Sequence, residues 1–103
     1  MRTRNKRNGV PKDSIYIGRG SRWGNPFHIG RHGTRAQVIS AYWEYLKTRP
    51  DLLDALDTLR GHDLLCYCAP LDCHGDCLIL MAEASPAERD EFLRQTWDEI
   101  CLT

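Results

Sequence analysis

The sequence predicts a small single-domain α/β sandwich, a short β-sheet covered by helices, from three features. Two β-prone runs occur, "SIYI" at 14–17 and "DLLCYC" at 63–68. Two capping boxes, Thr34 with Gln37 and Ser85 with Glu88, each open an apolar pattern of helical period. The resulting order, β, long loop, α, α, β, turn, α, α, describes neighbouring strands with helices packed over them.

Taken in order, residues 1–13 show no apolar periodicity and contain Gly9 and Pro11, so a basic, irregular arm is expected there. The first strand breaks on Gly18-Arg19-Gly20. The stretch "GRGSRWGNPFHIGRHG" that follows reads as a loop, interrupted by a second short strand around 27–29. Connections of this length are usually functional or disordered, and Trp23 and Phe27 need somewhere to pack, which argues against disorder. Behind Thr34, the residues Val38, Tyr42, Tyr45 and Leu46 predict a helix over about 35–48. Pro50 opens a second helix that runs to Gly61. After the "DLLCYC" strand, "LDCHG" is a tight connection into a buried helix, "DCLILMAEA". Residues 83–103 then form a C-terminal helix packed on the core, started by Ser85-Pro86.

At 103 residues the chain can bury one modest core without disulfides or metal. The longest apolar run, 77–82, is far too short to span a bilayer, and the basic N-terminus has no apolar segment behind it, so a cytoplasmic protein without a membrane partner is expected. Reduced thiols follow from that setting, and the odd number of cysteines, five, also argues against a disulfide framework. A net charge of zero conceals a split. Residues 1–35 carry nine basic side chains against Asp13 alone, and the other 68 carry five basic and thirteen acidic groups. The arm suits a nucleic acid, whereas Arg19, Arg22, Arg31 and Arg35, set among glycines and aromatics, suit a phosphate or carboxylate.

The densest chemistry is "LLCYCAPLDCHGDC" at 64–77, which holds four of the five cysteines and one of the four histidines. Cys66 and Cys68, two apart in a strand, leave the same face. With Cys73 and His74 they offer a donor set for zinc. Alternatively Cys73, at a strand-turn-helix junction, is a nucleophile whose thiol the helix amides activate, with His74 as acid or base and Asp76 as cap or ligand-binding carboxylate. The plain alternative treats cysteine as a small hydrophobe, the favoured reading for Cys77 in "CLILMA". A zinc deaminase is excluded, because no histidine is followed two places later by glutamate and the cysteines lack the C-x-x-C spacing. The other motif, "YIGRGSRWGNPF", lacks the third glycine of a dinucleotide fingerprint and the G-K-[ST] of a P-loop. What remains is an anion-binding turn. The Gly18, Gly20 and Ser21 amides, Arg19 and Arg22 would take a charged group, with Trp23 stacking on a planar ligand and Asn25 beside it.

Together, "YIGRGSRWGNPFHIG" and "LRGHDLLCYCAPLDCHGDCLILMA" resemble the uncharacterised family named domain of unknown function 4326, found in bacteria and their phages. The resemblance spans about 8–82, so residues 14–82 read as the family core. It implies shared positions at Gly18, Arg19, Trp23, Gly24, Asn25, Pro26 and Phe27, and at Cys68, Pro70, Cys73, His74 and Asp76. The family usually has an aliphatic residue where Cys77 stands, and the name brings no activity. The reading favoured is a small-ligand site where the two motif loops meet, acting on a nucleotide or nucleic-acid base. That reading leans toward an enzyme of unidentified reaction class, with Cys73, His74 and Asp76 as the expected catalytic groups. The alternatives are a zinc-bearing nucleic-acid-binding module, or a small structural or partner-binding protein.

Overall fold

The computed structural model describes residues 1–102. Three short strands, β1 (Thr3–Asn5), β2 (Ile15–Tyr16) and β3 (Leu64–Cys66), form a sheet in the order β1-β3-β2, both outer strands running parallel to the central one. Covered on both faces, β3 is buried along its whole length and reads as an unbroken apolar run, as the centre of a parallel sheet should. The architecture is the expected small α/β domain.

The arm expected to be irregular instead supplies β1, since Thr3, Arg4 and Asn5 pair in register with Leu64, Leu65 and Cys66. Its outer face is held by the Arg4 guanidinium, which donates to the Asp63 carboxylate, and its end by Asn5 Nδ2, which donates to the Ala69 carbonyl at 3.0 Å. The second strand expected around 27–29 is absent, and the chain there stays in turns.

Helix α1 (Arg35–Lys47) starts at Thr34 with both halves of its capping box formed, and buries Val38, Ile39, Tyr42, Trp43 and Leu46. Helix α2 (Pro50–Ala55) tightens into a 3-10 turn over Leu56–Thr58 before Gly61, at φ 85°, reverses the chain. Helix α3 (Gly75–Glu83) follows the cysteine turn and buries Cys77, Leu78, Met81 and Ala82, so Cys77 is core as expected.

The single C-terminal helix expected over 83–103 is two within the described residues: α4 (Pro86–Phe92), with its capping box, and α5 (Trp97–Cys101). Thr96 accepts from the Glu99 amide to start α5. Trp43 Nε1 and Lys47 Nζ both donate to the Gln95 carbonyl, at 2.8 and 2.6 Å, fixing the break against α1. Phe92 and Trp97 then pack on the Trp43 indole, with centroids 6.3 and 5.2 Å away. Among the described residues no helix is long and apolar enough to cross a membrane.

Candidate functional site

Because the three strands are parallel, the segments leaving them emerge at one edge: Lys6-Arg7 after β1, Gly18-Arg19 after β2, and Tyr67-Cys68 after β3. Ligands of open parallel sheets bind outside the carboxyl ends of the strands. A cavity of about 450 Å³ lies there, lined from the first motif by Tyr16, Gly18, Arg19, Asn25 and Phe27, and from the second by Cys66, Tyr67, Cys68, Asp72, Cys73 and His74. Ile29, Arg35, Val38 and Ile39 complete its wall. The two motif loops therefore meet at one cavity, of the size that small-molecule sites have.

The first loop is built mostly to hold its shape. Gly24 lies so close to the preceding turn that a Cβ would stand 2.9 Å from the Gly18 carbonyl oxygen. Asn25 spends both ends of its amide on structure, Nδ2 donating to the Val38 carbonyl and Oδ1 accepting from the Phe27 amide. Trp23 does not stack on a ligand. It is buried as part of the core, the Arg22 guanidinium lies 5.4 Å from its ring, and its carbonyl accepts from the Tyr42 hydroxyl. Gly20, Ser21, Arg22 and Trp23 lie outside the cavity lining, and the Ser21 hydroxyl and amide both turn back to the Gly18 carbonyl. Of the expected anion-binding residues, Gly18, Arg19, Asn25 and Arg35 reach the cavity, and Arg19 and Arg35 bring charge, whereas Arg22 and Arg31 are not in its lining. Arg35 does so from the start of α1, donating to the Asp72 carbonyl at 2.9 Å and tying the helix to the cysteine turn.

On the cavity floor, Cys66, Cys68 and Cys73 place their sulfurs within 4.8 Å of one another, close enough to hold a metal ion. Cys68 lies past the end of β3, and the turn from it contains the cis Ala69–Pro70 peptide. The Cys66 and Cys73 sulfurs are 3.7 Å apart. Zinc–sulfur bonds of about 2.3 Å at tetrahedral angles put sulfurs about 3.8 Å apart, so this pair already has the spacing of two thiolates on one ion. One of these two thiols donates to the other, so a first proton leaves the pair more readily than it leaves an ordinary thiol, while burial and the charge already present oppose loss of the second. The Gly75 amide, in the first turn of α3, donates to the Cys73 sulfur at 3.3 Å.

His74 is not among the sulfur-cluster donors. Its Nε2 lies 2.7 Å from the Ile17 carbonyl oxygen, to which it donates, and its ring meets Tyr42 edge-on at 4.9 Å. Burial holds its pKa below the ordinary histidine value, so the ring is neutral and its role in the cavity wall is to join β2 to the cysteine turn. Asp76 points elsewhere. Its Oδ2 accepts from the Cys73 amide at 3.2 Å, and it lines a separate groove between α3 and the C-terminal helices. Burial raises its carboxyl pKa. Two of the three expected catalytic residues, Cys73 and His74, therefore share the cavity, and Asp76 does not. Tyr16, Phe27, Tyr67 and the Val38-Ile39 wall were missed from sequence, because only the strand order reveals which residues border the carboxyl edge.

A protein whose two motif loops border a thiol-lined cavity at the carboxyl edge of a small parallel sheet is, by its fold, a small α/β domain. The chain belongs to the family described as Domain of unknown function (DUF4326), which it matches over residues 1–84. That span reaches further toward the N-terminus than the motifs alone suggested, consistent with β1 being part of the sheet. Neither a curated protein nor a solved structure matches the chain.

Proposed function

We propose that the cavity binds a nucleotide or nucleic-acid base and that Cys66, Cys68 and Cys73 hold a zinc ion at its floor. One observation carries the reading: the cavity joins three clustered thiols to two arginines, Arg19 and Arg35, that have no carboxylate partner among the described residues. Three thiolates leave a tetrahedral ion one open position, the arrangement of catalytic rather than structural zinc, and Phe27, Val38 and Ile39 offer apolar wall to a planar ring. Zinc supplies a Lewis acid when bound, and the chain's own part is to exclude water and to orient the ligand's anionic group with Arg19 and Arg35.

A second reading is favoured by the Cys66–Cys73 sulfur pair, 3.7 Å apart: without metal one thiol donates to the other, and the thiolate it stabilises is the nucleophile. Native mass spectrometry of the reduced protein, with and without chelator and with added mononucleotides, separates them. One zinc per chain, lost in Cys66→Ser and Cys73→Ser, together with a nucleotide adduct lost in Arg19→Ala, is the expected result. A metal-free protein that still binds nucleotide, and in which the bound nucleotide protects Cys66 or Cys73 from an alkylating agent, replaces the zinc with the thiolate. A protein that takes up no nucleotide in either state overturns the ligand assignment.

A further inference from the structure

The cations are paired very unevenly. Every lysine and arginine from Lys47 to Arg94 has a carboxylate within ion-pair distance: Lys47 with Glu44, Arg49 with Asp51, Arg60 and Arg89 with Asp57, and Arg94 with Glu91. In residues 1–35, Arg2 and Arg4 share Asp63, and the other seven have no such partner among the described residues. Four of the seven, Lys6, Arg7, Arg19 and Arg35, are placed around the cavity. Arg19 and Arg35 line it. The Lys6 ammonium stands 4.6 Å from the centroid of Tyr16 and the Arg7 guanidinium 5.8 Å from that of Tyr67, both rings being part of the cavity wall. These rings meet edge-on at 6.4 Å, and Tyr67 is 51% exposed at the rim, beside an equally exposed Ile29. The positive field extends along the first loop, where Arg19, His32 and Arg31 together help to hold His28 below the ordinary histidine pKa.

A mononucleotide needs one or two of these charges. Unpaired cations beside aromatic rings, one of them exposed at the surface, are what a single strand uses, its phosphates on the cations and its bases on the aromatic faces. A duplex offers its bases to a cavity only after they leave the stack. An acidic peptide would match the charge and leave the Tyr67 face and the cavity unused. We infer that the ligand of this cavity is one base of a single-stranded nucleic acid, whose backbone lies across Lys6, Arg7, Arg19 and Arg35 at the carboxyl edge of the sheet. This rests on the nucleotide reading above and names its substrate class. It also moves the nucleic-acid contact from a free basic arm to cations that β1 fixes beside the cavity.

The test is fluorescence anisotropy with labelled single-stranded DNA and RNA oligonucleotides about a dozen residues long, within the usual footprint of such sites. Unlabelled mononucleotides and polyglutamate serve as competitors. Four phosphate contacts predict a slope of about −2.8 in log affinity against log salt, a loss of about 50-fold between roughly 50 and 200 mM. The double variant Lys6→Ala/Arg7→Ala should halve that slope, and Tyr67→Ala should weaken binding about tenfold, both with unchanged circular dichroism. Whichever of DNA and RNA binds more tightly identifies the strand. Oligonucleotides that bind no better than mononucleotides, that bind without salt dependence, or that polyglutamate displaces equally well would overturn the inference while leaving the mononucleotide site standing. Binding of neither would remove both.

Discussion

Tyr42→Phe isolates the hydrogen bond that anchors the first motif loop to α1. Tyr42 is fully buried, and its hydroxyl donates to the Trp23 carbonyl at 2.8 Å. Phenylalanine keeps the ring and its edge contact with His74, so the change removes one oxygen and leaves a buried carbonyl without that donor. Such an orphaned group costs about 1–3 kcal/mol. At about 4–8 °C per kcal/mol for a domain near this size, the midpoint of thermal unfolding should fall by roughly 8–16 °C for a loss of about 2 kcal/mol. In urea the transition should move without a change of slope, since the surface exposed on unfolding is nearly the same. Burial pushes the Tyr42 phenol up, so it stays protonated in the folded protein while the unfolded chain ionises above pH about 10. Wild type therefore carries an alkaline loss of stability that the variant lacks, at most about 1.4 kcal/mol per pH unit, and the gap between them should narrow as pH rises past that point. Amides at Trp23 and Gly24 should also exchange faster in the variant while those of α1 keep their protection. A urea midpoint equal to wild type would refute the claim that this bond holds the loop, and a gap that stays constant into alkali would refute the burial-raised phenol.

Two further outcomes follow from neighbouring features. Gly24→Ala should destabilise by about 1–3 kcal/mol in urea unfolding, because the new methyl meets backbone oxygens of Gly18 and Ser21, which cannot swing away as a side chain could. Asp63→Asn tests the clasp on β1. The Arg4 guanidinium holds the Asp63 carboxyl below its ordinary value, so the contribution is present above pH about 4 and is lost as pH falls through the lowered folded value. The variant should show faster exchange of the β1 amides at neutral pH, with the difference closing in strong acid.

What could be read from sequence was local. Both capping boxes formed because a cap is decided within four residues, and Cys77 is core because "CLILMA" leaves it little else to be. The meeting of Cys66, Cys68 and Cys73 was legible from their closeness in sequence around a tight turn, although β3 ends at Cys66, so it is the turn rather than strand alternation that brings Cys68 to the other two, and His74 is not with them. β1 was not, because "TRN" has no apolar pattern, and its strand state comes from pairing with Leu64–Cys66 some sixty residues away. The split of His74 and Asp76 into different surroundings was also hidden. They straddle the start of α3, where a two-residue step swings side chains to opposite sides, so one reaches β2 and the other the C-terminal groove. Trp23 could be read two ways, because a tryptophan among glycines looks the same whether it awaits a ligand or fills a core, and burial decides for the core.

The Trp43 indole lies inside the family match, yet the side chains that complete its burial, Phe92 and Trp97, lie beyond it. In this chain position 43 and the segment after residue 84 are therefore coupled: without α4 and α5 the indole would face water, and without the indole α4 and α5 would lose the ring they pack on.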